Sequence, residues 1–124
     1  MTFWDIMMVG IGGFIGAVIR YGLSIKLNQR RRIPRGTLLV NLTGALLIGV
    51  VFGMDLSRAL TFLLASGLAG ALTTFSTLTK ELLELWRDSE RYRAVGYFLL
   101  TYGAGIGLAM LGYWIGGMEL IHYE

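Results

Sequence analysis

Hydrophobic positions in this chain do not alternate with polar ones in stripes; they run in blocks. Charge is absent from Gly36 to Met54, from Ala59 to Thr79 and from Ala94 to Met118, and between Ile6 and Ile25 only Arg20 interrupts. A soluble helix hides one apolar stripe and shows water the rest, whereas a helix that is apolar all round needs an apolar solvent. Each block approaches the length of about 20 helical residues that crosses a bilayer core. The pattern therefore predicts an all-α membrane protein of four transmembrane helices, at about 6–27, 36–54, 59–79 continuing to about 86, and 94–118, in a single domain over 1–124. The third helix continues because Glu81, Glu84 and Asp88 intermix with Leu82, Leu83, Leu85 and Trp86 at an amphipathic spacing.

Composition narrows the function classes. Of 124 residues, 55% are hydrophobic and 15% charged, and so little chain lies outside the spans that a soluble catalytic or nucleic-acid-binding domain has no room. Zero cysteines exclude disulfides and thiolate metal sites. The opening Met1-Thr2-Phe3-Trp4-Asp5 has no basic stretch, so the first span reads as retained and not as a cleaved signal. Of eleven basic residues, Lys26, Arg30, Arg31, Arg32, Arg35, Lys80, Arg87, Arg91 and Arg93 fall in the first and third loops, while the opposite side holds only Arg58. The positive-inside rule then puts those loops in the cytoplasm and both termini outside. The basic pI is thus a topology signal, and no nucleic-acid partner is expected. Trp4, Trp114, Tyr113 and Tyr123 near one surface, with Trp86 and Tyr92 near the other, form interfacial belts.

Small residues recur four apart at Gly12 and Gly16, Gly49 and Gly53, Gly103 and Gly107, and Gly112 and Gly116. In lipid such faces bring helix backbones together. There are more of them than one four-helix bundle can satisfy, which points to an oligomer, with a dimer the economical choice.

Polar residues inside the spans carry the chemistry. Arg20 and Asn41 sit six residues from the first loop on either side, at similar depth, where they could face each other. Thr37, Asn41 and Gly44 share one helical face by their i, i+4, i+7 spacing, a narrow polar stripe suggesting a path. The third span has Gly67 and Gly70 near its middle and then Thr73-Thr74-Phe75-Ser76-Thr77. Glycine and hydroxyl side chains that bond back to carbonyls weaken a helix there, predicting a break near the bilayer midplane. Carbonyls freed at that depth can coordinate a cation, and half-helix N-termini can face an anion. Within the spans no carboxylate appears, apart from Asp5 and Glu119 at their ends, so the buried polar set is rich in donors: Arg20, Asn41, Ser76 and Thr77. Donors stabilise an anion. Phe75 adds an aromatic edge, the positive part of the ring.

Three ordered motifs, Gly12-Gly13-x-x-Gly16-Ala17-x-x-Arg20-Tyr21, Gly36-Thr37-Leu38-x-Val40-Asn41-x-x-Gly44, and Gly67-x-x-Gly70-x-x-Thr73-Thr74-Phe75-Ser76-Thr77, resemble the Fluc (CrcB) fluoride channel family. The resemblance implies a passive, fluoride-selective channel that exports fluoride across the cell membrane and lowers cytoplasmic fluoride, built as an antiparallel dual-topology dimer with two pores. By the resemblance Asn41 and Phe75 would line the pore, Ser76 and Thr77 would donate nearby, and Arg20 would give a positive entry. Gly70 and Thr73 would offer main-chain carbonyls to a structural sodium ion at the dimer axis.

Two features depart from the family pattern. Leu78 stands where a second pore phenylalanine is usual, and on the fourth span Tyr97, Thr101 and Tyr102 are the sole hydroxyl candidates. The charge bias is a third oddity, since a chain inserting both ways should have balanced loops. Together these raise the alternative of a partner-dependent subunit that pairs with an oppositely oriented homologue in place of a homodimer. A non-transporting assembly subunit is a second alternative. A small proton-coupled multidrug exporter would need an acidic residue deep in the first span, and Ile6 to Ile19 has none. Enzymatic function is not expected, because the single histidine, His122, lies beside the C-terminus with no nucleophile and base around it.

Overall fold

The computed structural model describes residues 2–27 and 35–123, with side chains to Lys26 in the first stretch and to Met118 in the second. Arg30, Arg31 and Arg32 and the side chains of Glu119, His122 and Tyr123 lie outside the described residues. The elements of the described chain are all helices, joined by short turns and, between α4 and α5, by an interruption at Thr73 and Thr74: α1 (Phe3–Leu27), α2 (Arg35–Met54), α3 (Arg58–Thr61), a π-helical stretch (Phe62–Ala69), α4 (Gly70–Leu72), α5 (Phe75–Arg87) and α6 (Arg91–Tyr123). Four segments are long and apolar enough to cross a membrane: Phe3–Lys26, Arg35–Met54, Arg58–Arg87 and Arg91–Met118. The third is the composite of α3, the π stretch, α4 and α5.

Local chemistry sets the ends. Thr2 and Asp5 form a reciprocal cap on α1, the Thr2 amide donating to Asp5 Oδ2 at 2.8 Å and the Asp5 amide to Thr2 Oγ1 at 3.3 Å. The buried Asp5 carboxylate also takes Arg58 at 2.8 Å, tying the start of α1 to the start of α3. Ser57 caps α3 by accepting from the Leu60 amide at 3.3 Å. Asp55 (φ 51°) turns the chain after α2, and Ser89 (φ 62°) does so after α5, both in the left-handed region.

Two close backbone contacts hold the bundle. Gly49 and Gly53 of α2 press on the carbonyls of Ala109 and Tyr113 in α6, and Gly112 and Gly116 of α6 press on those of Leu46 and Val50 in α2. A Cβ at any of the four would collide with backbone, which cannot step aside, so two of the sequence's small-residue faces interlock with each other. The Gly12 and Gly16 face of α1 lies against Leu63 and Leu68 of the π stretch, where Gly67 in turn meets Val9 and Gly12. The widened turns of that stretch, not foreseen from the sequence, coincide with this close approach. Gly103 and Gly107 are exposed on α6, and a Cβ added at either would meet no atom within 4 Å. Leu78, Leu85, Ala94 and Tyr97 form a buried core cluster between α5 and α6.

Candidate functional site

The site is built where the third span leaves helical geometry. α4 ends at Leu72; Thr73 (φ −77°, ψ 157°) and Thr74 (φ −146°, ψ 116°) are extended, and α5 restarts at Phe75. Four groups hold this two-residue interruption. Asn41 Oδ1 accepts from the Thr74 amide at 2.7 Å, and Asn41 Nδ2 donates to the Thr74 carbonyl at 3.2 Å, so one side-chain amide grips a residue from both sides. Thr74 Oγ1 caps α5 by accepting from the Thr77 amide at 3.3 Å. Thr73 Oγ1 bonds back to the Ala69 carbonyl at 3.0 Å. Gly44, one turn beyond Asn41, leaves the space that the Thr73 side chain fills.

Beside the interruption lies an open cavity of about 380 Å³ between α2, the third span and α6. Asn41, Thr74, Phe75, Leu78, Thr101 and Tyr102 are among its lining residues. Thr101 is 7% exposed, and among the described residues its hydroxyl has no hydrogen-bond partner. Phe75 is 73% exposed. The first amides of α5 have no acceptor within their own helix, and its dipole is positive at this end. The cavity therefore gathers a helix N-terminus, an amide and a buried hydroxyl, together with an aromatic ring. That set binds an anion better than a cation.

The sequence-predicted residues are distributed as follows. Asn41 and Phe75 meet at the cavity. Ser76 and Thr77 are exposed on the first turn of α5 and outside the lining, Ser76 Oγ lying 3.5 Å from Thr74 Oγ1. Arg20 is half-buried on α1, and among the described residues no hydrogen bond or ion pair joins it to Asn41. Thr37 lies elsewhere: its hydroxyl donates to Glu81 Oε1 at 2.6 Å in a fully buried contact. The polar stripe of α2 thus meets the third span residue by residue, Thr37 on Glu81, Asn41 on Thr74 and Gly44 on Thr73. Leu78 is buried in the α5–α6 cluster while it also lines the cavity.

Sequence reasoning missed Glu81, which it set on a cytoplasmic extension. Glu81 is 9% exposed and engages Thr37 of the α2 stripe, outside the cavity, whose lining among the described residues carries no carboxylate. The Tyr97 hydroxyl, on a side chain 1% exposed, faces Thr37 and Glu81. One signal was available: Thr74, Leu78, Glu81 and Leu85 share the inward face of α5, so a carboxylate stood on an apolar stripe.

A cation would need oxygen ligands. Among the described residues no three His, Cys, Asp or Glu side chains cluster. The carbonyls of Gly70 and Thr73 are different: the amides that would bond them in a continuous helix, Thr74 and Thr77, donate instead to Asn41 and to the Thr74 hydroxyl. Open main-chain oxygens suit a hard cation, so these residues fit the sodium role that the resemblance implies.

Comparison with known proteins agrees with this reading of the motifs. A family model described as CrcB-like protein, Camphor Resistance (CrcB), matches residues 7–113. The Fluoride-specific ion channel FluC 2 of Lactobacillus johnsonii is 42% identical over 90% of this chain and 95% of its own length. FluC 1 of Geobacillus kaustophilus is 41% identical over 89% and 96%, and FluC 1 of Carboxydothermus hydrogenoformans 33% over 90% and 92%. The match runs through all four apolar helices, and this multi-pass membrane protein belongs to the CrcB-like family.

Proposed function

We propose that the chain is a fluoride-selective passive channel, not an enzyme, that exports fluoride across the cell membrane and lowers its cytoplasmic level. The observation that carries the reading is the convergence of Asn41, Thr74, Phe75 and the Thr101 hydroxyl, which has no partner among the described residues, on one cavity at the N-terminus of α5. Relatives named fluoride-specific ion channels, 42% and 41% identical, supply the ion. Selective passage needs donors strong enough to replace hydration and weak enough to release the ion. Neutral amide and hydroxyl groups meet that need, the Phe75 ring adds its edge, and Ser76 and Thr77 offer donors on the first turn of α5 beside the cavity. Arg20 raises the anion concentration at the entry.

In this reading the extended Thr73 and Thr74 lie near the bilayer midplane and mark a broken third helix. Backbone of that kind is tolerated at such depth when it is enclosed by protein or lines a wet cavity. Two antiparallel copies crossing there enclose it, and a sodium ion on the Gly70 and Thr73 carbonyls of both copies pins the crossing. The exposed Gly70 and Phe75 support a face that a second copy covers.

Purified protein in liposomes tests the function. Fluoride should leave while chloride stays; retention of fluoride by correctly assembled dimers would refute it. The lopsided loop charges and Leu78 favour a second arrangement, in which the chain inserts one way and pairs with an oppositely oriented homologue. A C-terminal reporter separates the two. Equal inside and outside populations with efflux intact select the homodimer, and a single orientation without efflux selects the pair.

A further inference from the structure

We propose that Asn41 is a positioning residue for the cation site: its side-chain amide takes the Thr74 N–H away from the Gly70 carbonyl and so keeps that oxygen open to a sodium-sized cation. The inference rests on the reading that the Gly70 and Thr73 carbonyls hold the ion.

In an uninterrupted α-helix each N–H bonds the carbonyl four residues earlier, so the Thr74 amide belongs to Gly70. The ladder is intact one step before, where the Thr73 amide donates to the Ala69 carbonyl at 3.0 Å. It fails at the next rung because the Thr74 amide goes to Asn41 Oδ1 at 2.7 Å. Among the described residues the Gly70 carbonyl keeps the Thr73 hydroxyl, 3.5 Å away and better bonded to Ala69 at 3.0 Å. A carbonyl opened in this way in a low-dielectric setting is costly unless it finds a partner, and a hard cation is a suitable one.

The second arm of the amide explains why asparagine serves here. A lone acceptor would catch the Thr74 N–H yet leave the residue free to turn about its own φ and ψ. Donation from Nδ2 to the Thr74 carbonyl at 3.2 Å fixes its other end, which holds the residue extended. Gly44 completes the seat by admitting the Thr73 side chain. Asn41 also lines the cavity, so one α2 side chain sets both the anion path and the opening of Gly70. Cation affinity and pore geometry are then coupled through a single amide.

Two substitutions separate this role from pore lining. Asn41→Leu keeps the branched shape of the side chain and removes both arms, letting the Thr74 N–H return to Gly70. Asn41→Asp keeps an acceptor for that N–H. Both variants should lose fluoride flux, so flux does not discriminate. Sodium dependence does: thermal unfolding of the purified dimer is followed as sodium replaces N-methylglucamine at constant ionic strength. Wild type should be stabilised by sodium, Asn41→Asp should respond with an apparent affinity within about threefold of it, and Asn41→Leu should be weaker by at least about tenfold. If Asn41→Leu titrates like wild type, the inference falls while the cation reading stands. If wild type ignores sodium, the cation reading falls and takes the inference with it. Should Asn41→Leu not assemble, Asn41→Asp decides alone, and loss of its sodium response overturns the proposal.

Discussion

Thr37 Oγ1 donates a 2.6 Å hydrogen bond to Glu81 Oε1, joining α2 to α5 between residues 44 positions apart. The contact is buried, and among the described residues the second carboxylate oxygen of Glu81 has no partner. Thr37 is therefore a donor that a buried acceptor depends on, not an idle hydroxyl on a polar stripe. Thr37→Val should lower the stability of the purified protein by about 1–3 kcal/mol, because a buried acceptor would lose its donor. Thr37→Ser should keep most of it. Unfolding midpoints in detergent check the pair, and equal midpoints for Val and wild type would contradict the contact.

The glycines of α2 and α6 divide by what surrounds them. Gly49→Ala or Gly112→Ala drives a methyl into the backbone of Ala109 or Leu46, which should cost about 1–3 kcal/mol from overpacking. Gly103→Ala and Gly107→Ala meet nothing within the chain and should leave its own fold intact. Melting curves of all four, with size-exclusion profiles, test the division. A uniform response would show that spacing alone governs these positions.

Thr101 offers a sharper test of the cavity. Its buried hydroxyl has no partner among the described residues, so removing it should be neutral or slightly stabilising to the protein. If that hydroxyl serves the anion, Thr101→Val should cut fluoride efflux by about tenfold, the equivalent of one hydrogen bond to a charge. Unchanged efflux would remove Thr101 from the path.

Phe75 is the most exposed of the cavity-lining aromatics, at 73%, so little of its area supports the chain's own core. Phe75→Ile should leave the protein's fold and assembly unchanged while efflux falls by about tenfold, since an aliphatic side chain has no positive edge to turn toward an anion. Equal rates from both proteins would assign the ring to packing.

Hydropathy alone determined the four spans and their order, because lipid accepts only segments that are apolar over a full crossing and close their own backbone bonds. The motifs around Arg20, Asn41 and Phe75 likewise point to the family from sequence alone. Which atoms meet was a tertiary matter. The face of α2 bearing Thr37, Asn41 and Gly44 was legible at its helical spacing, but its counterparts Glu81, Thr74 and Thr73 depend on how α5 lies against α2, and hydropathy does not encode that angle. Glu81 read as part of an amphipathic cytoplasmic continuation of the third span, yet its neighbours in space are Thr37 and Tyr97. The Gly103 and Gly112 faces read alike in sequence, and packing alone decided that one interlocks with α2 while the other stays uncovered. Short-range pattern fixes what a residue is able to do; the fold chooses its partner.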